Sequence, residues 1–133
     1  MEMNRLSSQV IKAAINVHKE LGPGLLESVY HSCMVIELNN MDIEVQSEVA
    51  LPIYYRGEEI HKEGFGIDLL VEDTIIVELK SVEKIKNVHK KQLLTYLRLA
   101  QKPLGLLLNF NECVLRDGIS RIINTNTKDE QFA

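Results

Sequence analysis

Three charged side chains interrupt the most apolar part of this chain. They constrain it more than any other feature. In the stretch GFGIDLLVEDTIIVELKS, residues 64–81, Asp68 lies in one apolar run, and Glu78 and Lys80 lie in the next, across a short acidic turn. Both runs have the length and aliphatic content of strands, and they read as a hairpin, Ile67–Val71 and Ile75–Leu79. A charge inside such a strand is costly to bury unless it is paired or bound to a cation. Glu78 and Lys80 are two apart, so they project from one face of their strand. A carboxylate from one strand, with a carboxylate and a lysine from its neighbour, can hold a divalent cation beside an attacking water.

Register sets a condition on that arrangement. Residues directly opposite on antiparallel strands share a face. Asp68 opposes Glu78 only across an odd loop, Glu72-Asp73-Thr74, centred on Asp73. A two-residue loop would pair Asp68 with Val77 and turn it to the other face. The expected hairpin therefore has a three-residue loop, or a bulge near Asp68 that restores parity.

Helical periodicity marks three further segments. From Asn4 to Leu21 the apolar face is Leu6, Val10, Ala13, Ala14, Val17 and Leu21, with Asn4 or Ser7 as N-cap and Gly22-Pro23 as terminator. A second helix, about Leu25 to Leu38, buries Leu26, Val29, Tyr30 and Cys33. It carries Glu27 in its first turn, where the helix dipole favours a carboxylate. The third, about Asn87 to Gln101, is capped by Asn87. It turns Val88, Leu93 or Leu94, Leu97 and Ala100 to the core, and His89, Gln92 and Tyr96 to one polar stripe.

The remaining segments read as strands. Residues 43–60 alternate with a period of two up to Pro52, and Arg56-Gly57 turns the chain into Glu58–Lys62. Leu104–Phe110 is wholly apolar, as for a strand buried on both faces. Cys113–Arg116 and Ile119–Ile123 flank Asp117-Gly118, a short-hairpin signal, and the chain from Asn124 onward is polar and expected to fray. This order predicts an α/β (α+β) architecture, a mixed sheet flanked by helices. The third helix is a right-handed crossover between parallel strands.

Length and charge narrow the function classes. The 133 residues suit one domain, 1–133, with a single sizeable core. Cys33 and Cys113 lack metal-ligand spacing and read as reduced, buried thiols, so no zinc site is expected. No signal-peptide plan and no apolar run of about 20 residues is present, which predicts a soluble, cytoplasmic protein with no membrane partner. The net charge of −4 argues against an indiscriminate binder of duplex DNA. Yet Lys80–Lys102 holds seven basic residues and one acid, a net of +6, which leaves −10 on the rest. That segment is either a solvated helix face or a track for a polyanion. No GxSxG, P-loop, GxGxxG or HExxH motif occurs.

Asp68 followed by Glu78-Leu79-Lys80 resembles the D…(D/E)xK signature of the PD-(D/E)XK nuclease superfamily. The segment Gly24-Leu25-Leu26-Glu27-Ser28-Val29-Tyr30 resembles the GxxExxY signature of a small family within it. The phrases DLLVEDTIIVELKSVE, HKKQLLTYLRL and GLLLNF look like the same family, so the resemblance spans about Ser8 to Asn124. It implies a restriction-endonuclease-like core and a divalent-metal-dependent nuclease acting on DNA or RNA. In such relatives Asp68 and Glu78 would ligate magnesium or manganese, with the Leu79 carbonyl and Glu27 completing the shell, and Lys80 would orient the hydrolytic water. Gln92 and Tyr96 fit the QxxxY motif of exonuclease-like relatives and would contact nucleic acid, with His89 beside them and Tyr30 near Glu27. Ile67 stands where the family name has Pro. The alternative is a catalytically silent nucleic-acid-binding or protein-interaction module that kept the fold. A homodimer is compatible with the small size, since cleavage of both strands needs two sites.

Overall fold

The structure is a computed structural model and describes residues 1–61 and 66–125. The helices are α1 (Met3–Leu21), α2 (Glu27–Asn40) and α3 (Asn87–Ala100). The strands are β1 (Val45–Ala50), β2 (Ile53–Tyr55), β3 (Glu58–His61), β4 (Gly66–Val71), β5 (Ile75–Lys80), β6 (Leu104–Asn109) and β7 (Ile119–Ile123). Five strands form one sheet in the order β1-β4-β5-β6-β7, and β2 and β3 form a separate two-stranded ribbon. β5 and β6 are parallel and joined through α3, and the other neighbours are antiparallel. This is the mixed, helix-flanked sheet that the sequence predicts, in an α+β restriction-endonuclease-like arrangement.

Both faces of the sheet are covered. Leu69, Val71, Ile75, Val77, Leu79, Leu104, Leu106 and Leu108 pack with the apolar faces of α1 and α2. Leu70, Ile76 and Leu107 pack with Leu93, Tyr96 and Leu97 of α3. Hence β6, sandwiched between the layers, is buried at every residue, as its uninterrupted apolar run requires. Gly105 permits this: a Cβ there would meet the Leu93 side chain at 2.9 Å.

Several boundaries differ from expectation for local reasons. Glu2, not Asn4 or Ser7, caps α1, its carboxylate accepting from the N–H groups of Asn4 and Arg5. α2 starts at Glu27, so Leu26 and Val29 are exposed and Tyr30, Met34 and Leu38 are its buried side. Val88 is 63% exposed, and α3 faces the core through Leu93, Tyr96 and Leu97. Cys33 is only half-buried and Cys113 is exposed, contrary to the buried thiols expected.

The terminal hairpin does not form. Leu115–Gly118 is a 3-10 turn that plugs Leu115 into the core, and β7 pairs instead with β6. Gly118 serves close approach and not a hairpin, since a Cβ would stand 2.6 Å from the Asn109 carbonyl oxygen. Asn124 is also not frayed: it is buried, its side-chain amide donating to the carbonyls of Leu97 and Lys102. The tail expected to fray beyond it (126–133), the lead-in at Gly64 and the predicted strand end at Lys62 lie outside the described residues.

Candidate active site at the open end of the central hairpin

The β4–β5 register meets the odd-loop condition. Val71 pairs with Ile75, Leu70 with Ile76 and Leu69 with Val77, which leaves Glu72-Asp73-Thr74 as the loop and sets Asp68 opposite Glu78. Glu72 and Asp73 both adopt positive φ (49° and 51°), and each is held: Glu72 by reciprocal hydrogen bonds with the Glu44 backbone, Asp73 by Lys102 at 2.9 Å. Acidic residues tolerate this conformation poorly compared with glycine, so these ties are what fix the turn.

At Asp68 the ladder itself gives way. On β1, Val45 packs on the α1–α2 side, whereas Val49, of the same parity, packs on the α3 side. On β4 the same change separates Leu69 from Ile67. The alternation therefore breaks where Glu48, with φ 52°, faces Asp68. Thus the three-residue loop supplies the parity, and the irregularity at Asp68 is not a bulge, because the β1–β4 register is the same on both sides of it.

Side chains replace the missing ladder bonds. The Asp68 N–H donates to Glu78 Oε2 at 2.8 Å, and the Leu79 N–H donates to Asp68 Oδ2 at 2.8 Å. The two carboxylates interlock in the seam between β4 and β5. The end of β5 is tied to its surroundings as well. Ser81 donates its N–H to Glu27 Oε2 (3.1 Å) and its hydroxyl to the Leu25 carbonyl (2.7 Å). Asn109, fully buried, exchanges two hydrogen bonds with the Val82 backbone.

Burial and like charge perturb this pair. Glu78 is 6% exposed, and its carboxyl is pushed up to about 7, first by desolvation and then by the charge of Asp68. The Asp68 carboxyl is also raised, chiefly by burial, against the lowering effect of the Leu79 N–H, Lys80 and His31. Glu27 raises both, and Lys80 lowers both, so all four charges share one field. Tyr96 is raised by burial and by the same two carboxylates, which places it beside them from α3.

A pH dependence follows from Glu78. A carboxyl raised on folding holds an extra proton in the native state. Its stabilising contribution is complete below about 4.5, the unfolded value, and is lost as pH rises through about 7. Urea unfolding of the metal-free protein is expected to show stability falling by about 3 kcal/mol between pH 5 and pH 8. Glu78→Gln should flatten most of that slope, and a slope unchanged in this variant would refute the assignment.

A cavity of about 210 Å³ opens beside the seam, lined by Glu27, Ser28, His31, Ser32, Glu48, Asp68 and Leu79. His31 and Glu48 carry no motif, and neither stands out in the sequence. His31 follows Glu27 by one helical turn, and that i, i+4 spacing is the only sequence signal that could have found it. Glu48 is brought in by backbone geometry alone.

The other expected residues are distributed differently. Tyr30 is fully buried, stacked on Phe110 with ring centroids 4.5 Å apart, and its hydroxyl bridges the Gly22 carbonyl and the Leu25 N–H. It is therefore a core residue that shapes the Gly22–Glu27 connection, and it does not reach a substrate. His89 accepts the Lys86 N–H through Nδ1 at 2.9 Å, closing the first turn of α3. It borders a second groove of about 680 Å³, with Val82, Glu83, Lys84, Lys86 and Glu112, and does not line the carboxylate cavity. Gln92 is exposed one turn before Tyr96.

Among the described residues, no three His, Cys, Asp or Glu side chains stand close enough to enclose a metal ion. The donor chemistry nevertheless suits a hard cation. Asp68, Glu78 and Glu27 offer carboxylate oxygens only, the hard donors that divalent cations such as magnesium take. Among the described residues no helix is long and apolar enough to cross a membrane.

A family model described as the PD-(D/E)XK nuclease superfamily matches residues 4–122. No curated protein and no solved structure matches the chain.

Proposed function

Because the chain belongs to the PD-(D/E)XK nuclease superfamily, we propose that it is a divalent-metal-dependent nuclease that hydrolyses phosphodiester bonds of DNA or RNA. Within that superfamily we place it in the GxxExxY family, on Gly24, Glu27 and Tyr30. The observation that carries the reading is the interlocked Asp68–Glu78 pair, off the ladder at the end of β5, with Lys80 two residues on and Glu27 in the same field.

Asp68 and Glu78 would hold magnesium or manganese, with Glu27 and the Leu79 carbonyl as further oxygen donors. The cation would supply Lewis-acid neutralisation of phosphate charge. Lys80, a compact cation on a flexible stem, orients the attacking water and offsets the charge that develops on the phosphorus oxygens. Tyr96, whose hydroxyl feels both carboxylates, would meet substrate from α3, with Gln92 exposed one turn before it. Exposed Lys84, Lys86, Lys90 and Lys91 extend positive charge away from it, which suits a polyanion arriving along that side.

The test is hydrolysis of single- and double-stranded DNA and RNA with magnesium or manganese, with and without EDTA. Cleavage of at least one substrate is expected, abolished by EDTA and by Glu78→Gln. Cleavage that survives both would sink the reading. A catalytically silent nucleic-acid-binding module is the second reading, favoured by the lack of a three-ligand cluster among the described residues. It predicts binding without turnover on all four substrates.

A further inference from the structure

The backbone of Asp68 is gripped from outside the sheet. Its carbonyl oxygen lies 3.1 Å from His31 Nε2, and the same nitrogen lies 3.0 Å from Ser47 Oγ. A carbonyl oxygen only accepts, so Nε2 carries the proton, and Ser47 Oγ shares it as a second acceptor. The contact is needed because Asp68 has lost regular pairing on both sides. Towards β5 its N–H goes to a side chain, and towards β1 it faces Glu48, whose positive φ interrupts the alternation of the strand. A carbonyl left here without a partner would be penalised and would let this residue wander. His31 prevents that from α2, the helix that also delivers Glu27, while Ser47 comes from the residue before the interruption.

We propose that His31 is a positioning residue. By donating Nε2–H to the Asp68 carbonyl, with Ser47 beside it, His31 holds Asp68 so that its carboxylate stays in the β4–β5 seam, and it thereby sets the affinity of the site for a divalent cation. The cation part rests on the metal-dependent nuclease reading above. The positioning part does not, because the Leu79 N–H bonded to Asp68 Oδ2 reports the carboxylate's place in the metal-free protein.

The variants are His31→Leu, which removes the donor; His31→Asn, which is polar but too short to place a donor at Nε2; and His31→Gln, whose amide nitrogen reaches about as far as Nε2. Two quantities are measured: amide hydrogen exchange of Leu79 by NMR without metal, and manganese affinity by calorimetry. His31→Leu and His31→Asn are expected to speed Leu79 exchange and weaken manganese binding about 10- to 100-fold. His31→Gln should bring both back towards wild type, with circular dichroism in EDTA the same for all. Leu79 exchange unchanged in His31→Leu and His31→Asn, or His31→Gln no better than they are, overturns the proposal. If exchange responds as expected but wild type binds no manganese, the grip on Asp68 stands and the metal-dependent reading falls. Should His31→Leu not fold, His31→Asn against His31→Gln decides the matter in the same way.

Discussion

Lys80→Ala is expected to lower the hydrolytic rate by about 100- to 1,000-fold while leaving the fold intact. The backbone at this position does the structural work: the Lys80 carbonyl accepts the Phe110 N–H at 2.9 Å, and any residue keeps that bond. The side chain is half-buried, and its charge is felt by both Asp68 and Glu78. Removing it takes away a cation that opposes the carboxylates in this field. On the proposed nuclease reading, the developing phosphorane charge then loses its stabilising partner, and the raised Asp68 and Glu78 carboxyls rise further. Lys80→Arg should not restore activity, because a planar guanidinium cannot occupy the place of a point charge. The measurement is a single-turnover rate beside a thermal melt. A rate within a few-fold of wild type would remove Lys80 from the chemistry.

Tyr30→Ala should have the largest effect on stability, about 3–5 kcal/mol in urea unfolding. That is a large share of the ~5–15 kcal/mol typical of a domain. The ring is wholly buried against Phe110, so its removal leaves a cavity between α2 and the end of β6. Tyr30→Phe separates packing from hydrogen bonding. It keeps the stack but leaves the Gly22 carbonyl and the Leu25 N–H without their hydroxyl partner, at a cost of about 1–3 kcal/mol. Because Leu25 and Glu27 tie the start of α2 to Ser81, the phenylalanine variant should also lower activity through Glu27. An alanine variant that loses under 1 kcal/mol would show that the core repacks around the gap.

Glu27 and Tyr30 illustrate what a motif encodes. In Gly24-Leu25-Leu26-Glu27-Ser28-Val29-Tyr30 the spacing looks like three equivalent signature positions. Gly24 adopts φ 96°, where a side chain is strained. Tyr30 secures the turn from within the core, and of the three signature residues Glu27 is the one that lines the carboxylate cavity. The sequence resemblance could not separate these roles, because burial is not a property of spacing. His89 repeats the lesson: it lies on the same helical stripe as Tyr96, yet it serves the first turn of α3.

The sequence alone determined the elements whose signals are local and strong. Helical periodicity defined α1 and α3, the unbroken apolar run defined β6, and strand parity required an odd loop about Asp73, or a bulge near Asp68, for Asp68 to face Glu78. Those features follow from side-chain period and strand parity, which residues a few positions apart decide among themselves. Tertiary structure decided the rest. The break in alternation at Glu48 and Asp68, the interlocked carboxylates, the His31 grip and the loss of the terminal hairpin all depend on contacts between segments distant in the chain. Asp117-Gly118 signals a tight turn, but burying Leu115 and pairing β7 with β6 outweighed that local preference. The candidate site likewise depends on β1, α2 and β5 converging on one residue whose backbone has left the ladder.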